Sequence, residues 1–530
     1  MKRENMLSTI HQMKDQEWDL LVIGGGASGL GVAYDATLRG YKTLLLEQSD
    51  FAKGTSSRST KLVHGGVRYL EQGDILMVKE ALYERGVLME NAPHLVQNRK
   101  FVVPAFDWWE TPYYTAGLKI YDMMAGKLGL GPSESISREE TIKALPNINQ
   151  EGLNGGVTYY DGQFDDARLA ITLAQSIADY GGTLLNYAKV TQLHKNEDEQ
   201  IAGVQVEDLI NEEPIKIKAK AVVNATGVFV DGIRSMDKAR APQSIQPSQG
   251  VHIVLDRSFM QGDTALMIPR TEDKRVLFAV PWHDVIILGT TDTPVDSPTL
   301  EPVALSTEVD FILKTAARYL SKAPTRDDIK SVFAGLRPLA KPDASDTKST
   351  KGMSRSHQVI ISDTGLISVI GGKWTTYRKM GEDVVNLYEE HLKLSSQPCL
   401  TESTLLHGYQ KEVDFDDPLS VYGNDKGKLL QLIEREPALG EKIHADLPYL
   451  KVQILWGVLF EMAQTVEDIL SRRTRALLLD AKASVEAAPM VSEWMAEILG
   501  KSTEWQLNQL SEFTQLSDSY RQIRNDEPEF

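Results

Sequence analysis

Residues 18–47 read WDLLVIGGGASGLGVAYDATLRGYKTLLLE. The apolar run Trp18–Ile23 ends in glycines, as a buried parallel strand does. Ala27–Leu38 follows as a helix with small residues facing the strand, and Lys42–Glu47 as a second buried strand, which makes a βαβ unit. Between the first strand and the helix, Gly24-Gly25-Gly26-Ala27-Ser28-Gly29 spells G-x-G-x-x-G. Gly24 permits the tight turn, Gly26 lets the backbone approach a pyrophosphate, and Gly29 lets helix and strand pack closely. The helix start at Ala27 and Ser28 offers N–H groups and partial positive charge to phosphates. Glu47 ends the second strand about 20 residues on, where a carboxylate accepts hydrogen bonds from ribose hydroxyls. A merely structural turn would explain the glycines and not Glu47, so the unit reads as a dinucleotide site.

The acid argues against a 2′-phosphate, and hence against NADP. No second G-x-G-x-x-G is present for a nicotinamide. FAD is therefore expected as the only dinucleotide, with reducing equivalents taken straight from substrate.

The chain has 530 residues, 42% of them hydrophobic, which is more than one core needs and implies two or three domains. Its net charge of −17 excludes nucleic acid as a partner. A small anionic substrate would then need a locally basic pocket. The single cysteine, Cys399, excludes an intrachain disulfide and a cysteine-built zinc site; no metal is expected. The N-terminal MKRENMLSTIHQMKDQEWD lacks the apolar core of a signal peptide. No apolar run reaches the roughly 18–20 residues of a spanning helix, so the chain is not expected to cross a membrane. Low cysteine usage permits a reducing compartment, and the expected place is cytoplasmic. Peripheral attachment to the inner face of the cell membrane needs only an apolar or basic patch, and composition permits it.

Further along, Asp165–Tyr180 reads as a helix opened by acids that suit its positive end. Strands are expected around Thr183–Leu193, Ile201–Glu207 and Ala221–Asn224, the last leading into NATG. GVHIVL, ALMIP, RVLFAV and DVIILGTTD, within 250–292, read as an antiparallel sheet. Gly365–Ile370 is another strand, Trp374–Leu392 a helix, 394–402 a linker, and the remainder helical. The fold class is α/β. A discontinuous dinucleotide domain takes 18–95, 155–245 and 355–392. A β-rich substrate domain takes 96–154 and 246–354, and a helical domain takes 403–530.

Candidate chemistry gathers at a few places. GTSSRSTKLVHGGVRYL (54–70) puts hydroxyls at Thr55, Ser56, Ser57, Ser59 and Thr60 in a glycine-flanked loop, suited to phosphate or flavin-edge hydrogen bonds. His64 precedes two glycines that leave it unshielded; the plainer reading is a loop histidine in a local network. Arg337 in FAGLRP, where Pro338 should end the strand, Arg355 in MSRSH and Lys373 in GGKWTTYR are cations beside turn or strand-end signals. Each could be an ordinary surface charge, but together they offer an anionic substrate a docking place, arginine bidentately.

GGGASGLGVAYDATLRG, TSSRSTKLVHGGVRYLE, DDARL, VNATG, GVHIV, ILGTTDT, GLRP and GGKWTTYR, in this order, strongly resemble the FAD-dependent glycerol-3-phosphate dehydrogenases over roughly residues 18–390. The resemblance implies a glutathione-reductase-like, D-amino-acid-oxidase-type FAD domain. It implies oxidation of sn-glycerol 3-phosphate to dihydroxyacetone phosphate by hydride transfer from C2 to flavin N5, with electrons passed to a quinone-type acceptor. It places His64 by the substrate carbinol, His252 in the active site, Arg337 near the substrate, Arg355 on its phosphate, and Lys373 by the flavin ring. Arg270 is a further substrate candidate. Ala225 and Gly227 of VNATG, and Gly372 and Thr375 of GGKWTTYR, join the cofactor contacts. A histidine base suits the proton that leaves the hydroxyl, His64 first and His252 second. The rival reading is a glycerol-3-phosphate oxidase that makes hydrogen peroxide, disfavoured because no extra inserted segment is evident. A non-catalytic flavin protein and an NAD-linked dehydrogenase fit less well. A homodimer is compatible with the sequence.

Overall fold

The computed structural model describes residues 1–71, 73–272, 275–341, 357–521 and 523. The opening unit forms as read: strand Glu17–Ile23, helix Ala27–Leu38, strand Thr43–Leu46. Both strands are buried on both faces, which is why their apolar runs do not alternate. They sit centrally in an eight-stranded sheet, parallel to each other, to Glu213–Asn224 and to Thr183–Leu185. Ile367–Ile370 extends the sheet on the far side of Glu213–Asn224. The helices Ala27–Leu38 and Tyr377–His391 clasp backbone to backbone: a Cβ on Gly31 would lie 2.3 Å from the Tyr377 carbonyl, and one on Gly381 2.3 Å from that of Gly31. Segments from both ends of the dinucleotide unit thus share one core.

The second sheet has ten strands. Ile245–Asp256, Val285–Gly289, Leu277–Trp282 and Ala265–Ile268 run antiparallel in that order, as the turn-separated segments predict. Two expectations change. Gly155–Phe164, assigned from sequence to the dinucleotide unit, pairs with Val96–Ala105 in the second sheet along its whole length. Its partner lies some 60 residues upstream, and nothing local reports so distant a pairing. The strand Ile329–Ala340 also runs through Pro338 rather than ending there. Ile245–Asp256 is its sole pairing partner among the described strands, and an edge strand tolerates proline; the residue opposite is Pro247.

The helices after residue 420 pack on this second sheet: Val254, Trp282, Ile287 and Phe333 join the core of Ala481–Leu499 and its neighbours. A buried ion cluster ties the same region to the first sheet, with both Arg472 and Arg473 on Asp50 at 2.5 and 2.7 Å. Burial alone would raise the Asp50 carboxyl; the Arg473 and Arg472 guanidiniums outweigh it and hold its pKa down at about 2.

His407 makes a third tie, its ring nitrogens 2.6 Å from Asp179 and 2.8 Å from Asp425. Burial opposes the charged ring, but the two carboxylates prevail and raise its pKa from 6.5 to about 9. A folded-state pKa above the unfolded one stabilises fully below the unfolded value and is lost as pH rises through the folded value. His407→Asn is therefore expected to cost stability, on the order of 2 kcal/mol, near pH 6. The deficit should vanish above the folded-state pKa of about 9. Denaturant midpoints of both proteins across pH test this, and a deficit independent of pH would contradict it.

Candidate active site

A cavity of about 590 Å³ takes its walls from both sheets. On one side lie Gly24, Gly26, Ala27, Ser28 and Glu47 from the opening unit, with Ala225 and Gly227 from the turn after Glu213–Asn224. Gly24 has φ +112°, which a side chain would strain, and a Cβ there would meet the Ala225 carbonyl at 2.6 Å. Gly29 lies behind this wall; a Cβ there would stand 1.9 Å from the Gly24 carbonyl, so helix and turn can touch only without one. A Cβ on Gly26 would meet only Ser56 Oγ, at 3.0 Å, beside the cavity. The helix carries no acid in its first turn, and its Ala27 N–H donates to Ser56 Oγ at 2.9 Å. Glu47 accepts from the Gly25 and Ser49 N–H groups at 2.6 and 2.9 Å, while burial pushes its carboxyl up.

The other walls carry the acid–base and cationic candidates. His64, His252, Arg337, Lys373, Gly372 and Thr375 all line this cavity, so the structure brings together residues spread over more than 300 positions. The register of Ile245–Asp256 with Ile329–Ala340 sets Phe333 opposite His252 and Arg337 opposite Ser248. His252 is buried, stacks on the Phe333 ring at 4.8 Å and has its Nε2 2.9 Å from Thr60 Oγ1. Burial first, then the nearby Lys61 and Arg337 charges, push its pKa well below 6.5, so its ring is neutral at ordinary pH. Arg337 reaches Thr290 Oγ1 at 3.1 Å and Asp292 at 3.3 Å. The Lys373 ammonium lies 4.1 Å from the Tyr69 ring centroid, and 2.8 Å from Met77 Sδ.

Three candidates lie elsewhere. Ser57 is buried behind the loop, its carbonyl bound by Lys61 and Arg475. Arg270 is exposed outside the cavity walls, its guanidinium 4.8 Å from the Trp109 ring. Arg355 falls outside the described residues. Tyr69, Lys53 and Arg58 also line the cavity and were not singled out from sequence. Their only signal was proximity to the hydroxyl-rich loop. Lys53 and Arg58 both pair with Glu301.

A dinucleotide cradle and a ring of cations and histidines on one cavity are the parts of a dinucleotide-dependent oxidoreductase for an anionic substrate. The comparisons agree. A family model described as FAD dependent oxidoreductase matches residues 19–378, and one for the C-terminal domain of alpha-glycerophosphate oxidase matches 363–506. The Homo sapiens mitochondrial glycerol-3-phosphate dehydrogenase is 39% identical over 95% of this chain and 72% of its own length. Its Schizosaccharomyces pombe (strain 972 / ATCC 24843) counterpart is 36% identical, over 94% and 86%. The Bacillus halodurans glycerol-3-phosphate dehydrogenase, solved with FAD, matches 98% of both chains with TM-score 0.80 and 29% identity. The Mycoplasma pneumoniae L-alpha-glycerophosphate oxidase, with 19% identity and TM-score 0.57 over 74% of this chain, shares the fold. The chain belongs to the FAD-dependent oxidoreductases, and among them to the glycerol-3-phosphate dehydrogenase family. Its cofactor is FAD.

Proposed function

We propose that this cavity oxidises sn-glycerol 3-phosphate to dihydroxyacetone phosphate. The observation that carries the reading is the convergence of the glycine cradle with His64, His252, Arg337 and Lys373 on one cavity. Gly24, Gly26 and the helix start at Ala27 would take the pyrophosphate, Glu47 a ribose, and Thr55, Ser56, Ala225, Gly227, Gly372 and Thr375 other parts of the dinucleotide. When bound, FAD supplies the hydride acceptor, N5, for the hydrogen on substrate C2.

The protein's share is to bind, orient and deprotonate. His64 takes the hydroxyl proton. His252 suits that task less well, since a base needs a pKa near working pH and its ring is held far below. It serves better as a neutral, fixed hydrogen-bonding wall. Arg337 and Lys373 face the cavity with positive charge that attracts the anionic substrate and stabilises negative charge arriving at the flavin edge. Arg355 binds the substrate phosphate. Arg355→Ala is expected to slow glycerol 3-phosphate turnover by roughly 10- to 150-fold, the worth of a lost charged hydrogen bond, while glycerol turnover changes little. Equal losses for the two alcohols would remove the phosphate role.

Anaerobic glycerol 3-phosphate should bleach the bound flavin, and a quinone analogue should restore its colour faster than oxygen. Peroxide as the main product would favour the oxidase reading. A flavin that stays yellow would overturn both.

We also infer peripheral membrane contact, on the strength of the helix pair Ile75–Asn91 and Glu110–Ala125. Leu76 is 81% exposed and Met123 79%, and Trp108 just ahead of the second helix is 83% exposed. Lys79, Lys119 and Lys127 are exposed nearby. Met77, next to Leu76, touches Lys373 on the cavity wall, so a lipid surface here would lie close to where a lipid-soluble quinone must arrive. Flotation with vesicles of phosphatidylcholine and phosphatidylglycerol should carry the protein up, and Leu76→Glu with Met123→Glu should leave it at the bottom. Equal flotation of both would rule this face out.

A further inference from the structure

The loop that walls the cavity, 55–61, is held by Trp374 on the cavity wall and, from behind, by buried groups outside it. Trp374 Nε1 donates to the Ser56 carbonyl at 2.8 Å. Arg475 Nη2 and Lys61 Nζ donate to the Ser57 carbonyl at 2.6 and 2.8 Å. Asp166 ties the pair together, 2.7 Å from Lys61 Nζ and 3.1 Å from Arg475 Nη2, and also accepts from Ser59 N and Oγ at 3.0 and 2.6 Å. Lys61, Asp166 and Arg475 are almost wholly buried. Of these, Arg475 comes from the C-terminal helical region, more than 400 residues from the loop, and its Nη1 is fixed to the Ser471 carbonyl at 3.0 Å.

We propose that Arg475 is a positioning residue for the flavin: from the C-terminal helical region it clamps the back of the Thr55–Lys61 loop, whose front face walls the cofactor cavity. The loop's own side chains show what the clamp controls. Ser56 Oγ meets the N–H of Ala27 at the glycine cradle, and Thr60 Oγ1 meets His252. A shift of the Ser57 carbonyl would move both contacts, one toward the pyrophosphate end and one toward the reacting end. Arginine is required by geometry. Its planar fork reaches the Ser471 carbonyl with one nitrogen and both Ser57 and Asp166 with the other, which a single ammonium on a shorter span does not reproduce.

The proposal rests on the cavity being the FAD site. Arg475→Lys keeps the buried positive charge and cuts the fork. In purified holoenzyme it is expected to speed FAD release on dilution by ~10-fold or more, the scale of one charged hydrogen bond. The limiting rate of anaerobic flavin reduction should fall, while the KM for glycerol 3-phosphate moves by less than about twofold. The visible circular dichroism of the bound flavin should change, and the rise in Tm that FAD confers should shrink on top of the fall in apoprotein Tm that cutting the buried fork brings. A brace with no cofactor role would lower both Tm values equally and leave FAD release unchanged; that result overturns the proposal. Asp166→Asn, a second cut in the same clamp at a buried residue outside the cavity wall, should move FAD release in the same direction, and wild-type release there overturns it too. Gly26→Val, run alongside, bears on the cavity itself. FAD retained in Gly26→Val removes the cavity reading and the clamp together. FAD lost in Gly26→Val, with Arg475→Lys like wild type, removes the clamp alone.

Discussion

Gly26→Val protein is expected to purify nearly free of flavin. The position lies at the mouth of the opening helix, where a Cβ would meet only Ser56 Oγ at 3.0 Å, beside the cavity that the pyrophosphate must enter. Valine would fill that approach with two further methyl groups and hold phosphate oxygens away from the helix N–H groups. The fold should survive, because no backbone crowds this position as it crowds Gly24 and Gly29. Absorbance at the flavin bands relative to protein absorbance is the measurement. Normal FAD content in a folded Gly26→Val protein would mean that the cofactor binds elsewhere.

The second large effect is expected at His64. His64→Gln should keep hydrogen bonding and lose basicity, so FAD content should remain near wild type. The rate of anaerobic flavin reduction should fall by roughly 10²–10⁴, the usual worth of a positioned base, and its pH dependence should lose the limb near neutrality. His252→Gln is the comparison. A buried ring already neutral well below its ordinary pKa has no proton to lose in that range, so this variant should keep the neutral limb. A wild-type rate and profile in His64→Gln would remove it from the mechanism, and a loss confined to His252→Gln would move the base there.

The opening βαβ unit was legible because every device in it is local: an apolar run, three spaced glycines, a helix of small residues and an acid, all within 30 positions. His64, Arg337 and Lys373 were legible as residue types beside turns, and the resemblance added His252. Their meeting on one cavity depends on a strand register, Ile245–Asp256 against Ile329–Ala340, that no local pattern encodes. The same holds for Gly155–Phe164, whose sheet is chosen by a partner far upstream. Asp165 and Asp166 show a subtler limit. Read together as acids at a helix start, they do accept N–H groups there, but Asp166 gives its other oxygen to Lys61 and Ser59. Arg475 carried no readable signal, because a buried arginine and a surface arginine look alike until the fold is known.

The pairing of Asp50 with Arg472 and Arg473 has a consequence for how the molecule is made. Asp50 leaves the ribosome 422 residues before Arg472 does. Through nearly all of synthesis its carboxylate has no counter-charge, and an unpaired charge resists burial. The turn after Glu47, where the cofactor's ribose would rest, is therefore expected to settle only once Arg472 and Arg473 reach Asp50. Nascent chains halted before Arg472 should bind FAD poorly however well their first sheet has formed. Cofactor loading then waits on the arrival of Arg472 and Arg473, not on completion of the first sheet.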